Sequence, residues 1–169
     1  MSGIEILGIA ASVIQIADAG ARLSSKLFVF TRKIKDADRS IQDISQEIAA
    51  TGAALRELGE ALEQDKYASL GSRHSIDQTS QIVADCWKVF TDINETIGGE
   101  KLVKGPETTN EKVSNTLARF KQPTFTFKQR FKFPFIEPQI NMLRSKLESL
   151  KSSLVLMLQV LLLAEQVRK

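Results

Sequence analysis

The sequence predicts an all-α fold, an up-and-down bundle of four long helices and one short helix, in a single domain over residues 1–169. First, apolar residues recur every three or four positions along most of the chain, which is helical spacing. Second, all four prolines lie beyond residue 105, so the preceding part of the chain lacks the strongest helix breaker. Third, a composition of 43% apolar and 25% charged residues is typical of a globular protein with a packed core.

The first helix is predicted over residues 3–31. Ser2 and Glu5 have the spacing of a capping box, in which the two side chains bond first-turn amides. The segment Ile6–Ala17 carries no charge and is apolar on every side, so it is enclosed either by protein or by lipid. It spans about 18 Å, whereas the hydrocarbon core of a bilayer is about 30 Å thick. We therefore expect a central bundle helix at rest, or one released into lipid on activation, and neither a standing transmembrane helix nor a signal peptide.

The second helix is predicted over residues 36–65 and the third over residues 75–97, where Ser75 and Gln78 have capping spacing. Each helix has one continuous apolar stripe that faces a partner, and acids occupy the other faces of the second. The stripe of the second helix consists of Ile34, Ala37, Ile41, Ile44, Ile48, Thr51, Leu55, Leu58 and Leu62. That of the third consists of Ile76, Thr79, Val83, Cys86, Phe90, Ile93 and Ile97.

A loop marked by glycines and a proline separates the third helix from a short helix predicted over residues 109–121. The last helix is predicted over residues 138–167, and its stripe broadens into a nearly continuous apolar run, Leu154–Ala164. The stripe consists of Ile140, Leu143, Leu147, Leu150, Leu154, Met157, Leu161 and Ala164. With no competing strand pattern, these elements indicate a helical bundle with short connections.

An irregular segment rich in phenylalanine and basic residues precedes the last helix. Residues 125–135 hold five of the nine phenylalanines, interleaved with Lys128, Arg130 and Lys132. One interpretation is an extended segment that places phenylalanines in bundle grooves. Another is a membrane-interface loop that pairs aromatic and cationic side chains. Single-stranded nucleic acid is a third partner for such interleaving, but no RNA-binding motif accompanies it.

The net charge of +3 is unevenly distributed along the chain. Residues 19–35 carry five basic residues and no acid, and residues 112–136 carry six basic residues and no acid. Between these zones, residues 36–65 hold eight acids. The pattern fits either charge complementarity within the molecule or a surface for anionic lipid. The near-neutral total argues against a nucleic-acid partner.

Nothing in the sequence indicates an enzyme, a cofactor or a metal site. Phosphate-binding, dinucleotide-binding, zinc-protease and serine-hydrolase motifs are all missing from the chain. Its one cysteine, Cys86, lies on the apolar stripe of the third helix, as a small buried residue does. Its one histidine, His74, has no second ligand or catalytic partner at a suitable spacing. We therefore expect a non-enzymatic protein without cofactors.

Both ends of the chain resemble a known family. The opening, MSGIEILGIAASVIQIADAGARL, is similar to the fungal N-terminal domains attached to STAND proteins of the NOD-like receptor type, with the shared run at Leu7–Gln15. At the other end, Phe131–Leu161 resembles the basic, aromatic and proline-containing segment of that family and the helix after it, with Leu147–Leu154 matching Leu-x-x-Leu-Lys-Ser-Ser-Leu. The acidic helix between them also fits, so the resemblance covers essentially the whole chain.

The resemblance implies a HeLo-like bundle that acts as a membrane-targeting cell-death domain. A nucleotide-binding STAND module or an amyloid-signalling partner would cluster such domains into a homo-oligomer, whose N-terminal helices are exposed and permeabilise anionic membranes. The protein would be cytoplasmic at rest and would move to the plasma membrane on activation. The positions that match the family's hydrophobic N-terminal helix are Ile4, Ile6, Leu7, Ile9, Val13, Ile14 and Ile16.

Charge placement adds two further predictions. If the first helix inserts, Glu5 and Asp18 should face a lumen or a neighbouring subunit, because a carboxylate facing lipid is costly. The candidate contacts to lipid headgroups are Arg22, Lys26, Lys33, Lys128, Arg130 and Lys132. Small residues spaced by four, Gly8 with Ser12 and Ala17 with Ala21, suit helix contacts in water or in lipid.

The alternative to a membrane-targeting domain is an adaptor that recruits a partner through its acidic helix or basic patch without entering lipid.

Overall fold

The computed structural model describes residues 3–33, 39–64, 73–97 and 133–168. Within these ranges the chain forms four α-helices and no strand, which confirms the all-α prediction. The helices are α1 (Gly3–Lys33), α2 (Arg39–Glu63), α3 (Arg73–Thr96) and α4 (Phe133–Arg168). The short helix predicted over residues 109–121 lies outside the described residues.

Helices α3 and α4 begin earlier than predicted. Helix α3 begins at Arg73, so Ser75 lies inside its first turn and is not the residue that precedes the helix. Helix α4 begins at Phe133, five residues before the predicted start, and includes the end of the phenylalanine-rich segment. Pro134 is tolerated because first-turn amides have no acceptor within the helix. Pro138 lies in the second turn on the exposed side, and it removes one backbone hydrogen bond there.

All four helices contribute side chains to one hydrophobic core. The predicted stripes supply most of it, since Ile48, Phe90 and Leu147 are fully buried on α2, α3 and α4. On α1, Val13, Leu23 and Leu27 are equally buried, although no single stripe was apparent in the sequence. The largest fully buried side chains are Phe90, Leu23, Leu27, Ile41, Ile44, Ile48, Leu55, Leu58, Ile93, Ile97, Ile140 and Leu147.

Contacts between α1 and α2 show that these helices run in opposite directions. Asp18 pairs with Arg56, and further along α1 Ser24 bonds to Ser45, which lies earlier on α2. Small residues allow a close approach, since a Cβ atom built on Gly52 would lie 3.3 Å from the backbone oxygen of Ala17. Two neighbouring helices in the chain therefore pack along most of their lengths.

Helix α4 runs alongside α2 in the same direction, because Arg144 pairs with Asp43 and Lys151 pairs with Glu47. Its second half reaches the start of α3, where the Thr79 hydroxyl donates to the sulfur of Met157.

One end of the molecule thus holds the start of α1, the end of α2, the start of α3 and the second half of α4. Ile6, Leu62 and Thr79 meet there around a hollow of about 10 Å³, no larger than one water molecule. We call this end, defined by Ile6, Leu62, Thr79 and Met157, the lower end.

Candidate membrane and partner surfaces

The apolar residues predicted for membrane insertion are mainly core residues in this structure. Ile6, Val13 and Ile16 are buried, and Ile9 and Ile14 are partly buried. Leu7 differs from them, because 54% of its surface is exposed. Ile4 belongs to α1, but its side chain lies outside the described residues. The uncharged segment of α1 is therefore enclosed by protein along most of its circumference.

Helix α1 is nevertheless long and apolar enough to cross a membrane. The stretch that qualifies by length and composition is Ile6–Arg32, 27 residues whose most apolar 18-residue window has a mean hydropathy of 1.4. The shorter span expected from the sequence counted only the uncharged segment and ended before Asp18. The core helix of a soluble protein has the same composition, and 44% of the most apolar window of α1 is buried.

Close contacts with α2 hold α1 in place. A Cβ atom on Gly59 would lie 2.6 Å from the Ile14 side chain and 3.4 Å from the backbone oxygen of Ala10. By contrast, a Cβ atom on Gly8 would have no neighbour within 4 Å, and the Ser12 hydroxyl donates to the Gly8 carbonyl of its own helix. Gly8 is therefore not a point of close approach between the helices, and the Ser12 hydroxyl bonds within α1.

A buried pair of serines joins the second half of α1 to the first half of α2. The Ser24 hydroxyl donates to the Ser45 carbonyl at 2.8 Å, and the Ser45 hydroxyl donates to the Ser24 carbonyl at 3.0 Å. The two Oγ atoms are 3.3 Å apart. Each bond of this kind contributes about 1 kcal/mol, and together they fix the register of the two helices.

Two acids, Asp18 and Glu5, are predicted to face a lumen or a neighbouring subunit, and the structure describes the side chain of Asp18. The Asp18 carboxylate accepts a hydrogen bond from the Arg56 guanidinium, and both side chains are about half exposed. The charge of Asp18 is thus paired within the molecule. Glu5 lies on α1, but its side chain is outside the described residues.

Of the six predicted headgroup contacts, two have side chains among the described residues. Arg22 and Lys26 lie one turn apart on α1, and both are partly buried. Lys33 ends the same helix, with its side chain outside the described residues. Lys128, Arg130 and Lys132 lie outside the described residues altogether.

Near the end of α1, sequence reasoning missed an exposed aromatic side chain. The guanidinium carbon of Arg32 lies 5.5 Å from the centre of the exposed Phe28 ring. Val29 beside it is also exposed. The sequence could have predicted this contact, because side chains four residues apart on a helix are neighbours. An arginine at that spacing can lie over an aromatic ring.

Most of the large apolar side chains that are exposed among the described residues lie on α4. Those in the second half of the helix lie toward the lower end of the molecule. They are Val155, Leu156, Val160, Leu162, Leu163 and Val167. Sequence reasoning saw the apolar run Leu154–Ala164 and did not assign it to a surface. The signal was available, because the run is wider than one core-facing stripe requires.

The described residues offer little chemistry beyond these surfaces. Among them, no group of three or more His, Cys, Asp or Glu side chains is arranged to hold a metal ion. Burial, with a smaller effect of Asp85, raises the pKa of the Cys86 thiol to about 12, so this thiol is protonated at neutral pH. A shallow groove between α3 and α4 is lined by charged residues, including Lys88, Asp92 and Lys146.

Comparison of the chain with protein-family models, with curated proteins and with solved structures finds no significant match.

Proposed function

We propose that the protein is a membrane-targeting cell-death effector or signalling domain of a fungal NOD-like receptor system. In this proposal, clustering exposes α1, which then enters and permeabilises a membrane. The supporting observation is that α1 combines the length and hydropathy of a membrane-spanning helix with a position in the protein core. By length and composition, a helix of this kind suits either environment, and the change between them is the proposed activity.

In the proposed resting state, apolar burial and contacts with α2 hold α1 in the core. Full burial of a side chain such as Val13, Leu23 or Leu27 contributes about 1.5 to 3 kcal/mol, and α1 buries many of them. Departure of α1 also breaks the Ser24–Ser45 bonds and separates Asp18 from Arg56. Lipid insertion compensates the lost apolar burial, and clustering multiplies weak membrane contacts through effective concentration.

The proposed domain has a defined architecture, a clustering partner and a change of location. The resting domain is an up-and-down bundle with a fifth, short helix in the region 109–121. A nucleotide-binding STAND module or an amyloid-signalling partner clusters it into a homo-oligomer, and it moves from the cytoplasm to the plasma membrane. Arg22 and Lys26 contact anionic headgroups there. The function needs no catalysis, no cofactor and no nucleic acid.

A disulfide between α1 and α2 tests the proposal directly. The variant Ser24→Cys with Ser45→Cys places two sulfur atoms where the Oγ atoms are 3.3 Å apart, so oxidation should join the helices. The protein is clustered through an affinity tag on dye-loaded vesicles of phosphatidylcholine and phosphatidylserine. We expect dye release from the reduced variant and none from the oxidised variant, with recovery on reduction.

The single variant Ser24→Cys is the matched control, and oxidation should leave its dye release unchanged. Native Cys86 does not compete, because it is buried. Equal dye release by the oxidised and reduced double variants, or intact vesicles with every form, would contradict the membrane proposal.

A second candidate function is an adaptor that binds a partner protein while α1 stays in the core. The exposed acids Glu57, Glu60 and Glu63 at the end of α2 favour it, because they form a charged surface next to the lower end. The same oxidised double variant separates the candidates. An adaptor binds its partner equally well with α1 fixed to α2, whereas a membrane effector loses its activity.

A further inference from the structure

The exposed apolar residues of α4 form a regular seam. Leu156, Val160, Leu163 and Val167 are spaced by four, three and four residues, and each is at least 60% exposed. This spacing places them along one line of the helix surface. The core residues Leu147 and Leu154 lie on the opposite side of α4. We call Leu156, Val160, Leu163 and Val167 the α4 seam.

The α4 seam has the residue pattern of a two-stranded coiled coil. In heptad terms, Leu156 and Leu163 occupy d positions, and Val160 and Val167 occupy a positions. In parallel coiled coils, valine at a with leucine at d favours two strands over three or four. The g positions, which flank such a seam, are the neutral residues Gln159 and Gln166.

Charge narrows the choice of partner. Residues 152–163 contain no charged side chain, so a surface that covers the α4 seam must itself be apolar and uncharged. The exposed acids Glu60 and Glu63 on the end of α2 would be repelled by an anionic membrane. A second α4 seam is apolar and uncharged in the same register, and a two-fold axis makes one surface complementary to itself.

We propose that the α4 seam is a dimer interface, on which the α4 helix of a second copy packs in parallel. The interface belongs to the resting protein, with α1 in its core. It therefore stands apart from the proposed membrane activity, and sedimentation without vesicles tests it separately from dye release.

Sedimentation equilibrium of the full chain measures the dimer. We expect a concentration-dependent rise to twice the monomer mass. Val160→Glu places two carboxylates against each other at the centre of the seam, and it should weaken dimerisation about 10- to 100-fold. Met142→Glu is the matched control, because Met142 is an exposed apolar residue of α4 outside the seam. It should leave the dimer unchanged.

Leu156→Cys tests the parallel arrangement. In a parallel pair the two introduced thiols face each other, so mild oxidation should cross-link the dimer. In an antiparallel pair centred on the seam, the two copies of residue 156 lie about 16 Å apart along the helix axis. A disulfide cannot join cysteines at that distance. Met142→Cys should not cross-link. Far-ultraviolet circular dichroism establishes that each variant is folded.

Three results would overturn the inference. The first is a monomer at every concentration, and the second is a dimer that Val160→Glu leaves intact. The third is a folded Leu156→Cys protein that does not cross-link on oxidation. If the wild-type protein is monomeric but Val160→Glu abolishes its binding to phosphatidylcholine and phosphatidylserine vesicles, the seam contacts lipid instead of a second copy.

Discussion

At the scale of residues, the glycines explain how α1 and α2 approach each other. The helices are close enough that the missing side chain of Gly52 leaves room for the backbone of Ala17 and Ala21. Gly8 is also helical, but a side chain there would meet open space. The same residue type therefore has opposite consequences for stability at the two positions.

We predict that Gly52→Val lowers the free energy of unfolding by about 1 to 3 kcal/mol, because its methyl groups collide with the α1 backbone. Gly8→Ala should raise it by about 0.5 to 1 kcal/mol, since alanine costs less conformational entropy than glycine in a helix. Urea unfolding followed by circular dichroism measures both. Equal effects of the two substitutions would contradict the close approach at Gly52.

At the scale of helices, periodicity predicted the elements, because a stripe such as that of α2 faces one partner surface. For α1 it predicted only that the helix is enclosed. A helix that is apolar on every side does not show in its sequence that Val13 is buried and Leu7 exposed, since that depends on where α2 and α3 lie. The start of α4 was placed at residue 138 because the phenylalanine-rich segment before it was interpreted as irregular, whereas the helix begins at Phe133 and contains Pro134 and Pro138. Both are accommodated in the first two turns.

The α4 surface shows a related limit. The apolar run Leu154–Ala164 was visible in the sequence. The sequence of this helix alone does not show which of these residues face the core and which face solvent. The contacts of Glu47 with Lys151 and of Thr79 with Met157 determine which side of α4 turns inward. The opposite side then becomes the exposed seam.

The ion pair between α2 and α4 gives a prediction about this register. Lys151→Glu places two carboxylates together, and it should lower the free energy of unfolding by about 1 kcal/mol. Adding Glu47→Lys exchanges the two charges and should restore most of the loss, as measured by a double-mutant cycle in urea. Glu57→Lys, on an exposed position of α2, is the control and should change stability little. Additive losses in the double variant would argue against the pairing.

At the scale of the whole molecule, two basic residues of α1 and the exposed apolar side chains of the second half of α4 lie toward opposite ends of the bundle. Arg22 and Lys26 lie in the second half of α1, whereas the exposed apolar side chains of α4 lie toward the lower end with Leu7. The net charge of +3 conceals this separation. We propose different partners for these two surfaces, anionic lipid headgroups for the basic residues of α1 and, independently of the membrane activity, a second copy for the α4 seam.

The proposed mechanism also links the stability of the bundle to its activity. If α1 must leave α2 before it enters lipid, a substitution that weakens their contact increases the population of the open state. That population changes about tenfold for each 1.4 kcal/mol. Gly52→Val should therefore accelerate dye release from clustered protein by about tenfold, provided that opening limits the rate.

A core substitution on another helix separates this effect from a general loss of stability. Leu143→Ala removes a buried side chain of α4 and should destabilise the fold by about 2 to 5 kcal/mol. Dye release is then compared at urea concentrations that give the two variants equal stability. We expect Gly52→Val to remain faster, because it acts on the α1–α2 contact that has to open. Equal rates would mean that vesicles respond to unfolding of the whole bundle, and α1 would lose its special role.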